Sequence, residues 1–185
     1  MNSKNIKPSS NLSLFLELLS GSEQIILDAG CGVGCDAVYL AYKKGYEVTG
    51  IDMCKIAVKL AKEKVDRNKI RNINFEIGRI ENLRFENEYF DAVYSWYALG
   101  GKNLPIQIKQ LARVLKKKGI LFIAIFTRTQ YERRCEKEEI NPLEFIFQSV
   151  SPFFKVMSQS IDTYNESDDM GKHVHERLRL ALRKK

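Results

Sequence analysis

The chain has 185 residues, of which 44% are hydrophobic and 29% charged, and it carries a formal net charge of +7. That size and balance describe one globular domain with a core of its own. No apolar run approaches the ~20 residues of a membrane helix. The opening Met1–Pro8 lacks the apolar stretch of a secretory signal, so a cytoplasmic protein is expected.

The basic excess is spread over 55–71, 109–118, 128–137 and 172–185, which reads as solvated surface more than as a nucleic-acid face. Nucleic acid is therefore the lesser partner alternative. Cys31, Cys35, Cys54 and Cys135 fit neither a zinc template nor a disulfide framework and read as reduced thiols.

In chain order, Pro8–Asn11 offers caps for a short helix, Leu12 to Leu19. Residues 24–28 read as a buried strand and 30–34 as a glycine loop. A helix follows over 36–44, then a strand over 47–51. A helix over 55–68 has Ile56, Leu60 and Lys64 four apart. Strands are expected over 74–77 and 90–95, a helix over 105–115 and a continuous apolar strand over 120–126. Pro142–Val150 reads as a helix. Phe153–Tyr164 and His173–Leu182 read as strands, joined by the polar turn 165–171. Strands and helices alternating over 24–126 predict an α/β, Rossmann-like doubly wound sheet. It should have seven strands, mostly parallel, with helices on both faces and a C-terminal antiparallel hairpin. The reading is one domain, 1–185, with a short cap helix in 1–22 and a helix and hairpin in 127–185.

The loop Gly30-Cys31-Gly32-Val33-Gly34 follows the strand end Asp28. Its G-x-G-x-G spacing puts Cys35 where a dinucleotide fingerprint needs its third glycine. Glycines let the backbone approach a ligand, and Asp28 favours a ligand with positive charge. Asp52, at the end of the second strand and twenty-four residues after Asp28, can accept hydrogen bonds from ribose hydroxyls. Together they suggest an adenosine-like group with a charged tail.

Over residues 24–126 the chain resembles the class I S-adenosylmethionine-dependent methyltransferases, especially their small-molecule type 11/25 group. The resemblance is carried by ILDAGCGVG, VTGID, FDAVYSW and LARVLKKKGILFIAIF, where Lys117-Lys118-Gly119 replaces the usual Pro-Gly-Gly. It implies a methyltransferase using S-adenosylmethionine and releasing S-adenosylhomocysteine. Gly30, Gly32 and Gly34 would line the methionine part of the cofactor, Asp52 the ribose and Met53 the adenine, with Asp28 and Cys31 also counted among the cofactor-binding residues. Arg79 stands where the family often has an acidic residue, so only backbone there and Ile80 are carried over, and Glu81 reads equally as a substitute or as a solvated surface residue.

The acceptor is expected at the ends of the fourth and fifth strands. Ser95 and Trp96 would stand beside the cofactor, and Tyr97, Thr127, Arg128 and Tyr131 beside the acceptor. Aromatic faces at Trp96 and Tyr97 could meet the sulfonium. Ser95-Trp96-Tyr97-Ala98 replaces the Asn-Pro-Pro-Tyr motif of many DNA and protein amino-group methyltransferases, which favours a small-molecule acceptor. His173 and His175 open the last strand at the reactive rim and are candidate general bases. No metal is required. A binding protein with this fold but no catalysis, RNA-associated, is the alternative. The oligomeric state stays open, a dimer included.

Overall fold

The computed structural model describes residues 9, 12–19, 21, 24–128, 142–168 and 171–185. Seven strands form one sheet: β1 (Ile25–Ala29), β2 (Glu47–Asp52), β3 (Ile73–Ile77), β4 (Phe90–Trp96), β5 (Leu115–Arg128), β6 (Phe154–Asp168) and β7 (Gly171–Lys184). Their order is β3-β2-β1-β4-β5-β7-β6; β3 to β5 are parallel, and β7 and β6 antiparallel. The expected doubly wound sheet with a C-terminal hairpin is thus present. The order reverses between β1 and β4, and this switch point is where ligands settle in open α/β sheets.

Helices α1 (Leu12–Leu18), α2 (Cys35–Lys44) and α3 (Lys55–Asn68) belong to one face; α4 (Leu104–Val114) and α5 (Pro142–Val150) belong to the other. Period-2 alternation sorts the strands accordingly. Ile26, Tyr94 and Phe122 join the α1–α3 core, whereas Leu27, Val93, Leu121 and Ile123 join the α4–α5 core. No described helix is long and apolar enough to cross a membrane.

Three local features depart from expectation. On α3 the residues four apart are not the core stripe: Ile56 is 72% and Leu60 44% exposed, and Val58, Ala61 and Val65 are buried instead. Those three are also three and four apart, and their small β-branched or methyl side chains suit close packing on β2 and β3. At the start of β5, pairing jumps from Phe90↔Leu115 to Ala92↔Ile120. Lys118 takes a φ of 63°, and a Cβ on Gly119 would lie 2.8 Å from the Asp91 carbonyl oxygen. The close approach explains the glycine in LKKKG. Finally, β6–β7 pairing continues to Asp168↔Gly171, taking most of the expected polar turn into the ladder. An antiparallel pair lengthens wherever backbone donors and acceptors can meet, whatever the side chains.

Candidate functional site

The loop after β1 crosses the switch point in three left-handed residues: Gly30 (φ 86°), Gly32 (52°) and Gly34 (72°). Their roles differ. A Cβ on Gly30 would stand 2.0 Å from the Ala98 Cβ, and one on Gly34 2.5 Å from the Phe75 ring, so both glycines serve close packing. A Cβ on Gly32 would meet nothing within 4 Å among the described residues, so toward them this glycine faces open space. Gly30 and Cys31 donate their N–H groups to the Ile51 carbonyl at 2.8 and 2.9 Å. From outside, Lys64 donates to the Val33 carbonyl at 2.8 Å and lies 3.2 Å from the Cys35 sulfur.

Asp52 closes the loop from the β2 side. Oδ2 accepts from Gly32 N–H and Oδ1 from Cys54 N–H, both at 2.8 Å. A carboxylate has about four acceptor sites, so each oxygen keeps capacity for a ligand hydroxyl. Beside it, Met53 (65%) and Ile77 (55%) form an exposed apolar shelf. Arg79 is paired with Glu81 at 3.6 Å. Glu81 also accepts from Asn103 (3.2 Å) and Gln107 (3.1 Å), so it fastens the 3₁₀ turn Ile80–Asn82 to the start of α4. This bonding explains why Glu81 does not stand free to face a ligand, and Ile80 is buried in the α4–α5 core.

Asp28 is only 3% exposed. Burial, and next the nearby Asp36 carboxylate, push its pKa well above the carboxylate range. The same causes, burial first and then Asp28, push the Cys31 thiol up, so it is an inert space-filling group. Asp36, in the first turn of α2, was not singled out by sequence. It accepts from Ser9 through N–H and hydroxyl, both at 2.7 Å, and from the Tyr94 hydroxyl at 3.0 Å. Asp52 thus bonds the loop directly, while the buried Asp28 interacts with Asp36 and Asp52. Their potential suits a cationic ligand with hydroxyls.

Beyond β4 the rim is aromatic. Tyr97 adopts a φ of 55°, a costly conformation for a bulky residue, and stacks on Phe126 with centroids 4.0 Å apart. Its hydroxyl accepts from Arg177 Nη1 at 2.9 Å. Arg177 also donates Nε and Nη2 to Asp162, and its guanidinium lies 5.9 Å from the Trp96 ring. Arg177 hydrogen bonding holds the Asp162 carboxyl below its ordinary range. His175 packs on Phe126 with ring centroids 4.8 Å apart. It stands on β7, two strands from β4, or about 10 Å at ordinary strand spacing.

Two expected rim residues are turned inward. Ser95 is wholly buried and donates to the Ala29 carbonyl at 2.8 Å; Thr127 is 1% exposed and donates to Glu176 Oε1 at 2.6 Å. Alternation along β4 and β5 gives the outward places to Trp96 and Phe126 instead. Tyr131, and the side chains of Arg128 and His173, lie outside the described residues.

An α/β sheet with a glycine loop at its switch point and an acidic residue ending β2 has the Rossmann-like plan, in which ligands settle at the switch point. The chain matches the profile of the methyltransferase domain family over residues 20–177, and it belongs to that family. It is 34% identical over 99 residues to the uncharacterized methyltransferase YodH of Bacillus subtilis, covering 54% of this chain and 42% of that one. It is 28% identical over 138 residues to the phosphoethanolamine N-methyltransferase of Plasmodium falciparum, covering 72% and 51%. The chain thus spans about half the length of these relatives. Among solved structures, an S-adenosylmethionine-dependent methyltransferase from Methanosarcina mazei superposes with a TM-score of 0.73 at 21% identity, covering 92% of this chain and 96% of that one.

Proposed function

We propose that the protein binds S-adenosylmethionine across the glycine loop and transfers its methyl group to a small-molecule acceptor held at the β4–β5–β7 rim. The observation that carries this reading is the Asp52 carboxylate at the end of β2, which accepts from the N–H of the left-handed Gly32 and keeps acceptor capacity for a ligand. When bound, the cofactor supplies an electrophilic methyl on a cationic sulfur.

The chain's own part is binding and orientation. Asp52 takes the ribose hydroxyls, and Met53 with Ile77 receives the adenine. Asp28 meets the amino-acid end, where a cation lowers the cost of its burial. Gly32 lets the backbone approach. Trp96 and Tyr97 wall the acceptor space beside the reacting centre and exclude water from it, and His175 lines its far side. Arg177 is engaged by Asp162 and Tyr97, which favours a small molecule over a polyanion at this end. By their names the relatives are diverse: a phosphoethanolamine N-methyltransferase, a ubiquinone biosynthesis O-methyltransferase, an uncharacterized RNA methyltransferase and a ribosomal protein L11 methyltransferase.

The test is a thermal shift with S-adenosylhomocysteine against NAD. At 100 times its Kd a ligand adds about 2.7 kcal/mol, which is roughly 5–10 °C for a domain of this size. Asp52→Ala should weaken binding by about 2–4 kcal/mol, from charge-assisted hydrogen bonds lost to ribose and loop. No shift at millimolar S-adenosylhomocysteine would overturn the reading.

A further inference from the structure

Among the described residues, the strand β6 ends the sheet and pairs only with β7. Its fifteen residues run to the sheet's open edge with Val156, Met157 and Ile161 exposed at 45%, 42% and 49%. A long edge strand with apolar side chains is a template for another strand unless the protein defends it. The question is which strand fits.

The register of β6 on β7 gives the faces. Val156 pairs with Leu182 and Ile161 with Leu178, so both share the α4–α5 face. Lys155 pairs with Arg183 and Asp162 with Arg177, so these two share the opposite face. In an unbroken strand, residues five apart would point to opposite faces. Here the register shifts between Val156 and Ser158, and Met157 is the extra residue that brings 156 and 161 to one side.

With that bulge, the outer edge is complementary to itself. Run a second β6 antiparallel with Gln159 opposite Gln159. Ser158 then meets Ser160, Val156 meets Ile161 and Lys155 meets Asp162, each pair on its proper face and each made twice. Without the bulge, Val156 would face Asp162 and the match would fail. We infer that β6 is an isologous dimer edge, at which two copies of this chain join their sheets into one of fourteen strands about a two-fold axis through Gln159. Closed two-fold symmetry is the commonest arrangement of soluble homo-oligomers, and this pairing also uses up the open edge. Asp162, which the partner's Lys155 would meet, also anchors Arg177 beneath Tyr97, so assembly reaches the acceptor end of the domain.

Light scattering during size exclusion at tens of micromolar should give twice the 21.4 kDa chain mass. Val156→Lys with Ile161→Lys places like charges opposite one another, and should raise the dimer dissociation constant at least tenfold with the circular dichroism spectrum intact. A cysteine at the axis gives a readout that survives any folding defect in that variant. With Cys35, Cys54 and Cys135 replaced by serine, since the first two are exposed thiols, oxidised Gln159→Cys should form a disulfide-linked dimer on a non-reducing gel, while Ile161→Cys in the same background, which faces Val156, and the background itself should not. A chain that stays monomeric at several hundred micromolar overturns the inference. So does a dimer undisturbed by the paired lysines, or a cross-link at 161 as efficient as at 159.

Discussion

Gly30 and Gly32 are two residues apart, both left-handed, and substituting alanine at each should have opposite consequences. Forcing alanine into the left-handed region costs about 1–2 kcal/mol at either position. At Gly32 that backbone term is the cost to folding, since the new methyl meets nothing within 4 Å among the described residues. A loss of about 1–2 kcal/mol lowers the melting temperature of a domain this size by roughly 2–8 °C. The methyl, however, occupies the space where a ligand crosses the loop, and S-adenosylhomocysteine affinity should fall by roughly 10–100-fold, or about 1.4–2.8 kcal/mol. At Gly30 the methyl would sit 2.0 Å from the Ala98 Cβ, far inside contact distance, so the loop or the segment after β4 must shift. Overpacking adds about 1–3 kcal/mol to the backbone cost. Gly30→Ala should therefore be the less stable protein by a clear margin. Denaturant melts and titration calorimetry on the two variants separate the effects. If Gly32→Ala binds S-adenosylhomocysteine within twofold of the unsubstituted chain, the ligand does not pass over Gly32 and the proposed site is misplaced.

Two further outcomes follow from the charged groups. The Asp28 carboxyl is raised by burial and by Asp36, so its stabilising contribution is complete at acid pH and is lost as pH rises through the raised value. A cationic ligand favours the ionised form. Affinity for S-adenosylmethionine should rise with pH across that window, with proton release measured by calorimetry in buffers of differing ionisation enthalpy; proton uptake would contradict it. Arg177→Met should lower stability by about 1 kcal/mol, discounted because Asp162 is a third exposed, and free Tyr97 from its hydrogen bond while leaving S-adenosylhomocysteine affinity unchanged. Because Asp162 is held below its ordinary range, the stability it lends is present above the usual carboxylate pKa and lost as pH falls through the lowered value. In Arg177→Met acid unfolding should begin at higher pH. Weakened S-adenosylhomocysteine binding would instead place Arg177 in the cofactor site.

The parts of the candidate site that lie within one strand–loop–helix unit follow from local patterns in the sequence. Glycine spacing, a preceding strand and a downstream Asp52 are local patterns, and the alternation of elements fixed the sheet type. What could not be read depends on register. Arg177 and Asp162 meet because a bulge at Met157 sets which residues of β6 oppose β7, and nothing in the composition marks that residue. Asp36 and Ser9 are twenty-seven positions apart and meet through the docking of an N-terminal turn on α2. Ser95 and Thr127 have the right chemistry in the right segment, but one step of strand parity turns them inward. The helix over 55–68 contains two apolar stripes, and only packing on the sheet decides which is buried.

The antiparallel seam between β5 and β7 also bears on how the chain is made. Ile120 pairs with Arg183 and Phe126 with Arg177, so the partner of β5 lies some fifty to sixty residues further along. At translation rates of about 5–20 residues per second, β5 waits roughly 3–10 s for β7 to leave the ribosome. The nascent parallel half can assemble its glycine loop in that interval, yet it carries the bare edge of Leu121, Ile123 and Ile125. Until the hairpin arrives, that unpaired strand is the segment through which a nascent chain is most open to pairing with another.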